Sequence, residues 1–367
     1  MPKSKSFYII DGHAQIYRAY FAPFRDLTSP TGEPTKATFV FTQMLLNLIQ
    51  QRKPDYLAMV IDSGDASVFR KQIYPQYKAN RKEAPADFFP QEQRILQIVK
   101  DAGVPIFAKP TFEADDLIAT MAKKLCDQDY EIFLVSKDKD LRQILNDCTY
   151  MYDVQSDEVI DVKKMEEKVG YSPGEAIEIQ TLMGDAIDNV PGIPGVGEKT
   201  AAKLIKQYGN VEGILAHLSE LTPKLRENFE KNADKLSMAR QLVTLHTNVD
   251  FDFDPAACEF KGINEQGLRK HLEVLGFRNL LARLEGGDTK KIKAAPKYQP
   301  FGETLFPDAN APSAPLAAGE SNAETHATCK YCLIDTEEKF ADFLAQLKKQ
   351  KLFAFDTETT AVDAMQA

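Results

Sequence analysis

The first 170 residues alternate between two hydrophobic registers. Three short apolar runs, Phe7–Ile10, Tyr56–Ile61 and Ile132–Val135, have the length and continuity of buried strands. Each runs into an acid: Asp11, Asp62 and, past Ser136 and Lys137, Asp138. Between them, FVFTQMLLNLIQQ and RILQIVKDAG space their apolar residues three or four apart, as helices do, and Gly103 closes the second. Strands alternating with helices predict an α/β core over residues 1–170, a parallel sheet covered on both faces. Ligands of such sheets bind beyond the carboxyl ends of the strands, so the three acids are expected along one edge. Residues 171–285 read as mostly helical, punctuated by GDAIDNVPGIPGVGEKTAAKLIKQYGN, a Gly/Pro-rich turn feeding an amphipathic helix. Residues 286–328, rich in Ala, Pro, Gly, Ser and Asn, predict a disordered linker. Residues 329–367 restart with a helix, EEKFADFLAQLKKQ, and an apolar strand before Asp356 and Glu358.

The stretch TFEADDLIATMAKKL sharpens the picture. Acids suit the first turn of a helix, but one or two serve that purpose, and here Glu113, Asp115 and Asp116 crowd together. With Asp138, Asp140, Asp185 and Asp188, nine acids share one expected location, counting Asp11 and Asp62. Asp185 and Asp188, three apart, would share one face of a helical turn. Carboxylates this dense cannot all ionise in a poorly solvated cleft unless cations neutralise them. All-oxygen ligation suits Mg²⁺, with Mn²⁺ able to substitute, and two such ions about 4 Å apart can clamp the attacking and leaving oxygens of a phosphodiester. Taken singly, each acid also reads as a surface charge or a helix cap, Asp116 above all.

Composition adds limits. The chain has 367 residues, 43% of them hydrophobic, enough for more than one domain. No apolar run approaches membrane-spanning length, and too few apolar residues precede Asp11 for a signal peptide. Five scattered cysteines suggest a reduced, cytoplasmic protein, and Cys329 and Cys332 lack the second pair of a zinc site. The formal net charge of −9 argues against a nucleic-acid partner until the nine proposed ligands are set aside, which leaves the remainder neutral. Its basic residues are concentrated: Arg70 to Lys82 holds five Lys or Arg and no acid, interleaved with Tyr74 and Tyr77, a pattern suited to a single strand. Gly192, Gly195 and Gly197 permit close backbone approach, and their loop beside a helix N-terminus suits a phosphate of duplex nucleic acid.

Taken in order, DGHAQIYRAYFA, FRKQIYPQYKANR, FEADDLIAT, SKDKDL, LMGDAIDNVPGIPGVGEKTA and LFAFDTETT resemble the N-terminal part of the bacterial DNA polymerase I family. Residues 1 to about 290 are similar to its 5′-nuclease domain, related to flap endonucleases, and 331–367 to the opening of its 3′–5′ exonuclease domain. The resemblance implies a PIN-like core, an arch at about 63–90 and a helix–three-turn–helix region that binds duplex DNA. It implies one metal site at Asp11, Asp62, Glu113 and Asp115, and a second at Asp138, Asp140, Asp185 and Asp188, with Asp116 nearby. Arg18, Arg70, Tyr77, Lys78 and Arg81 would handle the 5′ strand and the scissile phosphate. The Gly192–Gly197 loop, with a bound K⁺ and Lys199, would hold duplex.

The implied activity is Mg²⁺-dependent 5′–3′ exonuclease and flap endonuclease cleavage of branched or nicked duplexes and RNA–DNA primer junctions, by a cytoplasmic, nucleoid-associated protein. The alternative is a flap-binding module without catalysis. A phosphohydrolase with an aspartate nucleophile is disfavoured, because His13 stands where its second acid belongs. VIDSGDASVFR departs from the family by lacking a lysine and adding Asp65. With only Asp356 and Glu358 of the proofreading acids present, no 3′–5′ activity and no synthesis are expected. GETLFP, residues 302–307, weakly resembles a peptide that docks on a sliding clamp.

Overall fold

A computed structural model describes residues 5–64, 68–81, 83–284 and 336–348. The chain forms two units, Met1–Ala294 and Ala295–Ala367. In the second, the predicted helix is present as Glu337–Leu347. Asp356, Glu358, the linker, the C-x-x-C and residues 302–307 lie outside the described residues.

The first unit opens with β1 (Lys5–Asp11), α1 (Gly12–Tyr20), α2 (Lys36–Arg52), β2 (Tyr56–Val60), α3 (Phe69–Ile73) and α4 (Phe88–Asp101). Then come β3 (Ile106–Phe107), α5 (Ala114–Cys126), β4 (Tyr130–Val135), β5 (Thr149–Asp153), β6 (Glu158–Ile160) and α6 (Val162–Val169). The strands form one sheet, ordered β3-β2-β1-β4-β5-β6, parallel except for β6. The predicted runs are thus its centre. β1 alternates as the pleat requires: Phe7 and Ile9 join α5 on one face, and Tyr8 and Ile10 join α1, α2 and α4 on the other. The chain leaves β1 for one side of the sheet and returns through β4 on the other, opening a crevice at their carboxyl ends.

The helical region comprises α7 (Ala176–Met183), α8 (Glu198–Tyr208), α9 (Val211–Ala216) and α10 (Pro223–Val243), around a core that includes Ile179, Leu182, Ile193, Ile205 and Phe229. The expected single helical body over 171–285 divides here. Leu245, Val249 and Cys258 pack on the α5 face of the sheet, while α11 (Glu265–Val274) and α12 (Arg278–Leu284) pack on α2 and α4.

The expectation of fully reduced cysteines is corrected. A disulfide joins Cys126, ending α5, to Cys148, just before β5, with Cα atoms 5.9 Å apart. The 22-residue spacing carried no such signal, since only the sheet brings the two ends together. Cys258 is free and buried.

Candidate active site

The acids gather where β1 and β4 diverge. Asp11 ends β1 and caps α1, accepting from the Ala14 N–H at 3.3 Å and the Ser136 hydroxyl at 2.7 Å. The chain can turn from strand to helix there because residue 12 is glycine. A Cβ at Gly12 would lie 2.5 Å from the Ile61 side chain and 2.8 Å from the Val60 carbonyl. Asp62 follows β2 and accepts from the Ala114 N–H at 2.7 Å, at the positive end of α5. His13 Nδ1 lies 3.0 Å from the Asp62 backbone nitrogen and 3.5 Å from its carboxylate, and Nε2 lies 2.8 Å from Glu92; against the burial of the ring, these two acids push the imidazole up to about 9.

Ser136 links the first strand's acid to the next group. Its oxygen accepts from the Asp138 N–H at 3.0 Å, and Asp138 accepts from the Asp140 N–H at 2.9 Å. Among the described residues no Lys or Arg pairs with Asp11, Asp115, Asp138 or Asp140. Burial, and then the Asp138 charge, push the Asp11 carboxyl up to about 7. Burial foremost, with neighbouring carboxylates, also raises Asp115, Asp138 and Asp140.

A carboxyl held above its unfolded value stabilises the fold only while protonated. That contribution is complete below an ordinary aspartate pKa and is lost as pH rises toward about 7 for Asp11. Chelated protein should therefore lose thermal stability over that interval. Added Mg²⁺ should raise the melting temperature more at pH 8 than at pH 5, because it binds the ionised forms. Scanning calorimetry with Mg²⁺ and with chelator checks this; an equal Mg²⁺ effect at both pH values would contradict it.

The remaining acids are paired with cations. Lys78 Nζ contacts Glu113 and lies 3.6 Å from Asp188, Arg81 lies 2.5 Å from Asp188, and Lys139 Nζ lies 2.9 Å from Asp185. Lys78 and Arg81 outweigh the burial of Asp188 and hold its carboxyl below the usual range. Lys78 reaches these acids from a left-handed backbone, φ 58°, a strained setting for a non-glycine residue that its N–H bond to the Asp188 carbonyl at 2.9 Å helps to hold. Asp185 and Asp188 do not lie on a helical turn as expected. They occupy a turn closed by mutual N–H···O bonds between Asp185 and Val190, in which Asp185 accepts from the N–H groups of Ile187 and Asp188. A small cavity remains between Tyr77, Lys139, Asp140, Gln180, Asp185 and Asp188.

Three expected roles change. Asp116 is fully buried and grips Arg70 through both oxygens, at 2.7 and 2.9 Å, while the same oxygens accept from the Glu113 and His246 N–H groups at 3.2 and 2.9 Å, which leaves it no lone pair for a metal. Arg70, expected on DNA, is 2% exposed and bonds also to Glu113 and to the carbonyls of Leu242 and Thr244. A guanidinium enclosed by its own chain cannot reach a phosphate. Tyr77 is buried as well, its hydroxyl 2.9 Å from Glu113 and 3.1 Å from Asp188, so its ring cannot stack on a base in this conformation. The segment expected to arch packs down through Tyr74 and Tyr77 on Val190, Leu242 and Val243. Asp65 lies outside the described residues.

Arg18 stands near this edge, held by Asp153 at 2.9 Å and by Gln155. The glycine loop is tight. A Cβ at Gly192 would lie 2.3 Å from the Met183 backbone, and Gly195 has φ 80°. Gly197 caps α8, and Lys199 is exposed in its first turn.

Residues not singled out from sequence also shape the site: Ser136, Lys139, Gln180, and His13 with Glu92. Lys139 was legible, flanked by two acids, and Gln180 interrupts an apolar helix. Glu92 carried no signal, because only packing brings α4 to His13.

The 5′–3′ exonuclease N-terminal resolvase-like domain matches residues 6–170, and the 5′–3′ exonuclease C-terminal SAM fold matches residues 171–266. A 5′–3′ exonuclease of Aquifex aeolicus is 34% identical over 281 residues, 77% of this chain and 96% of that protein. A DNA polymerase I of Rhizobium leguminosarum is 33% identical and covers 100% of this chain, which spans only 41% of that relative's length. Among solved structures, T5 5′-exonuclease with bound zinc shares the fold at a TM-score of 0.55 and 23% identity, covering 74% of this chain and 100% of its own. The catalytic core of Rad2 in complex with DNA substrate follows at 0.53 and 16%, covering 77% and 93%. With both of its domain models matched in sequence order, this chain belongs to the 5′–3′ exonuclease family.

Proposed function

We propose that this protein is a divalent-metal-dependent 5′ nuclease that cleaves phosphodiesters near the 5′ ends of flaps, nicks and RNA–DNA primer junctions, and that it works in the cytoplasm at the nucleoid. The observation that carries the reading is the group Asp11, Asp115, Asp138 and Asp140, four acids whose carboxyls are all pushed up, by burial first and by neighbouring carboxylates after it, with no Lys or Arg paired to any of them among the described residues.

The donor set fits hard cations: it is all oxygen and short of positive charge. No three described acids are gathered tightly enough to grip one ion as they stand. Lys78, Arg81 and Lys139 occupy the acids that would complete the set. Two Mg²⁺ ions, or Mn²⁺ in their place, would supply Lewis-acid charge at the scissile phosphate. Asp11, Asp62, Glu113 and Asp115 would hold one, and Asp138, Asp140, Asp185 and Asp188 the other.

Binding would exchange partners. Acids that turn to cations release Lys78 and Arg81, which can then bind the oxygens of the incoming phosphate. Opening of the Tyr77 segment exposes them further. Arg18, on the helix that Asp11 caps, would take a neighbouring phosphate. The Gly192–Gly197 loop and Lys199 would hold duplex through backbone N–H groups, with K⁺ on the loop's carbonyls. None of these contacts reads a base, which suits recognition by strand geometry.

The test is a 5′-labelled flap duplex incubated with Mg²⁺ or with chelator. Short labelled 5′ products with Mg²⁺ and none with chelator are expected. Binding without cleavage in Mg²⁺ would instead establish a flap-binding module.

A further inference from the structure

We infer that Gln180 is a positioning residue of the metal-binding edge, orienting Asp140 through its amide N–H₂ and offering its carbonyl oxygen to a water carried by a divalent ion. The inference rests on the metal reading proposed above. Gln180 lies on α7, five residues before Asp185, and is 4% exposed. Its Nε2 donates to Asp140 Oδ1 at 2.5 Å. Its Oε1 is buried and has no hydrogen-bond partner among the described residues.

The amide orientation is fixed by chemistry. With a cation on Asp140 the carboxylate is ionised, and a turned-over amide would set its carbonyl against that charge and lose the bond. Gln180 lines the small cavity that Asp140, Asp185 and Asp188 also line. A buried carbonyl without a donor is unfavourable, so the cavity calls for an O–H or N–H. Lys139, the nearby ammonium, is engaged by Asp185. A water on a Mg²⁺ or Mn²⁺ ion satisfies the need, because such ions keep several waters whose polarised O–H groups are strong donors. Gln180 would then act on the ion at two points, through the ligand Asp140 and through the water.

The experiment is calorimetric titration of the DNA-free protein with Mn²⁺. Gln180→Met, similar in volume and without the polar atoms, should bind Mn²⁺ about 10–100-fold more weakly than wild type, with an unchanged melting temperature in chelator. Gln180→Glu, which keeps an acceptor oxygen and adds charge, should bind at least as tightly as wild type. Equal Mn²⁺ affinity in the methionine variant overturns the inference and leaves the metal reading intact. Absence of Mn²⁺ binding by wild type overturns both. Should the methionine variant fail to fold, the glutamate variant decides, and weaker binding than wild type counts against the proposal.

Discussion

Asp138→Ala is expected to slow cleavage of a 5′-labelled flap at least about 10³-fold, since losing several kcal/mol of Lewis-acid stabilisation costs about three powers of ten. Duplex binding, measured by fluorescence anisotropy, should change little, because the glycine loop and Lys199 lie elsewhere in the chain. The same substitution removes a charge that raises Asp11, Asp115 and Asp140. It also removes the side chain that caps the turn at Asp140, a loss of about 1 kcal/mol. In chelator at pH 8 the relief of repulsion should at least offset the lost cap, so the variant should melt no lower than wild type. Asp138→Asn, which keeps an acceptor oxygen, should melt higher. Cleavage at the wild-type rate with Mg²⁺ present would remove Asp138 from the chemistry. A fall in melting temperature of both variants would mean that its role is structural instead.

Arg70→Met is expected to destabilise the fold by about 3–5 kcal/mol, the usual consequence of leaving a buried charge without its partner. The guanidinium spends its donors on Glu113, Asp116 and the carbonyls of Leu242 and Thr244, tying α3 to α5 and to the end of α10. Adding Asp116→Leu should recover part of the loss, since an apolar pair of similar volume leaves one fewer orphaned charge. Urea unfolding of both variants measures this. Near-wild-type stability of Arg70→Met, together with weakened DNA binding, would return Arg70 to the role its basic neighbourhood first suggested.

These two residues show where reading the chain works. Asp138 is an acid one short turn beyond a buried strand, and that position fixes its destination, because every parallel strand delivers its last residue to the same edge. Asp11 and Asp62 follow the same rule. Arg70 lay in a segment whose composition matched a nucleic-acid surface. Composition reports charge but not direction, and the segment turned its first arginine and its second tyrosine inward.

The order of apolar runs and their terminal acids determined the sheet, the crevice edge and a concentration of negative charge there. Tertiary structure alone decided how that charge is balanced. The trio in TFEADD divides by solvation: Asp116 is sealed against Arg70, Glu113 meets Arg70, Tyr77 and Lys78, and Asp115 keeps no such partner. The disulfide, the turn that carries Asp185 and Asp188, and the unpaired Gln180 oxygen likewise required the folded chain. Periodicity is a local property of a sequence, whereas the partner of a buried polar group is set by whichever distant segment excludes water from it.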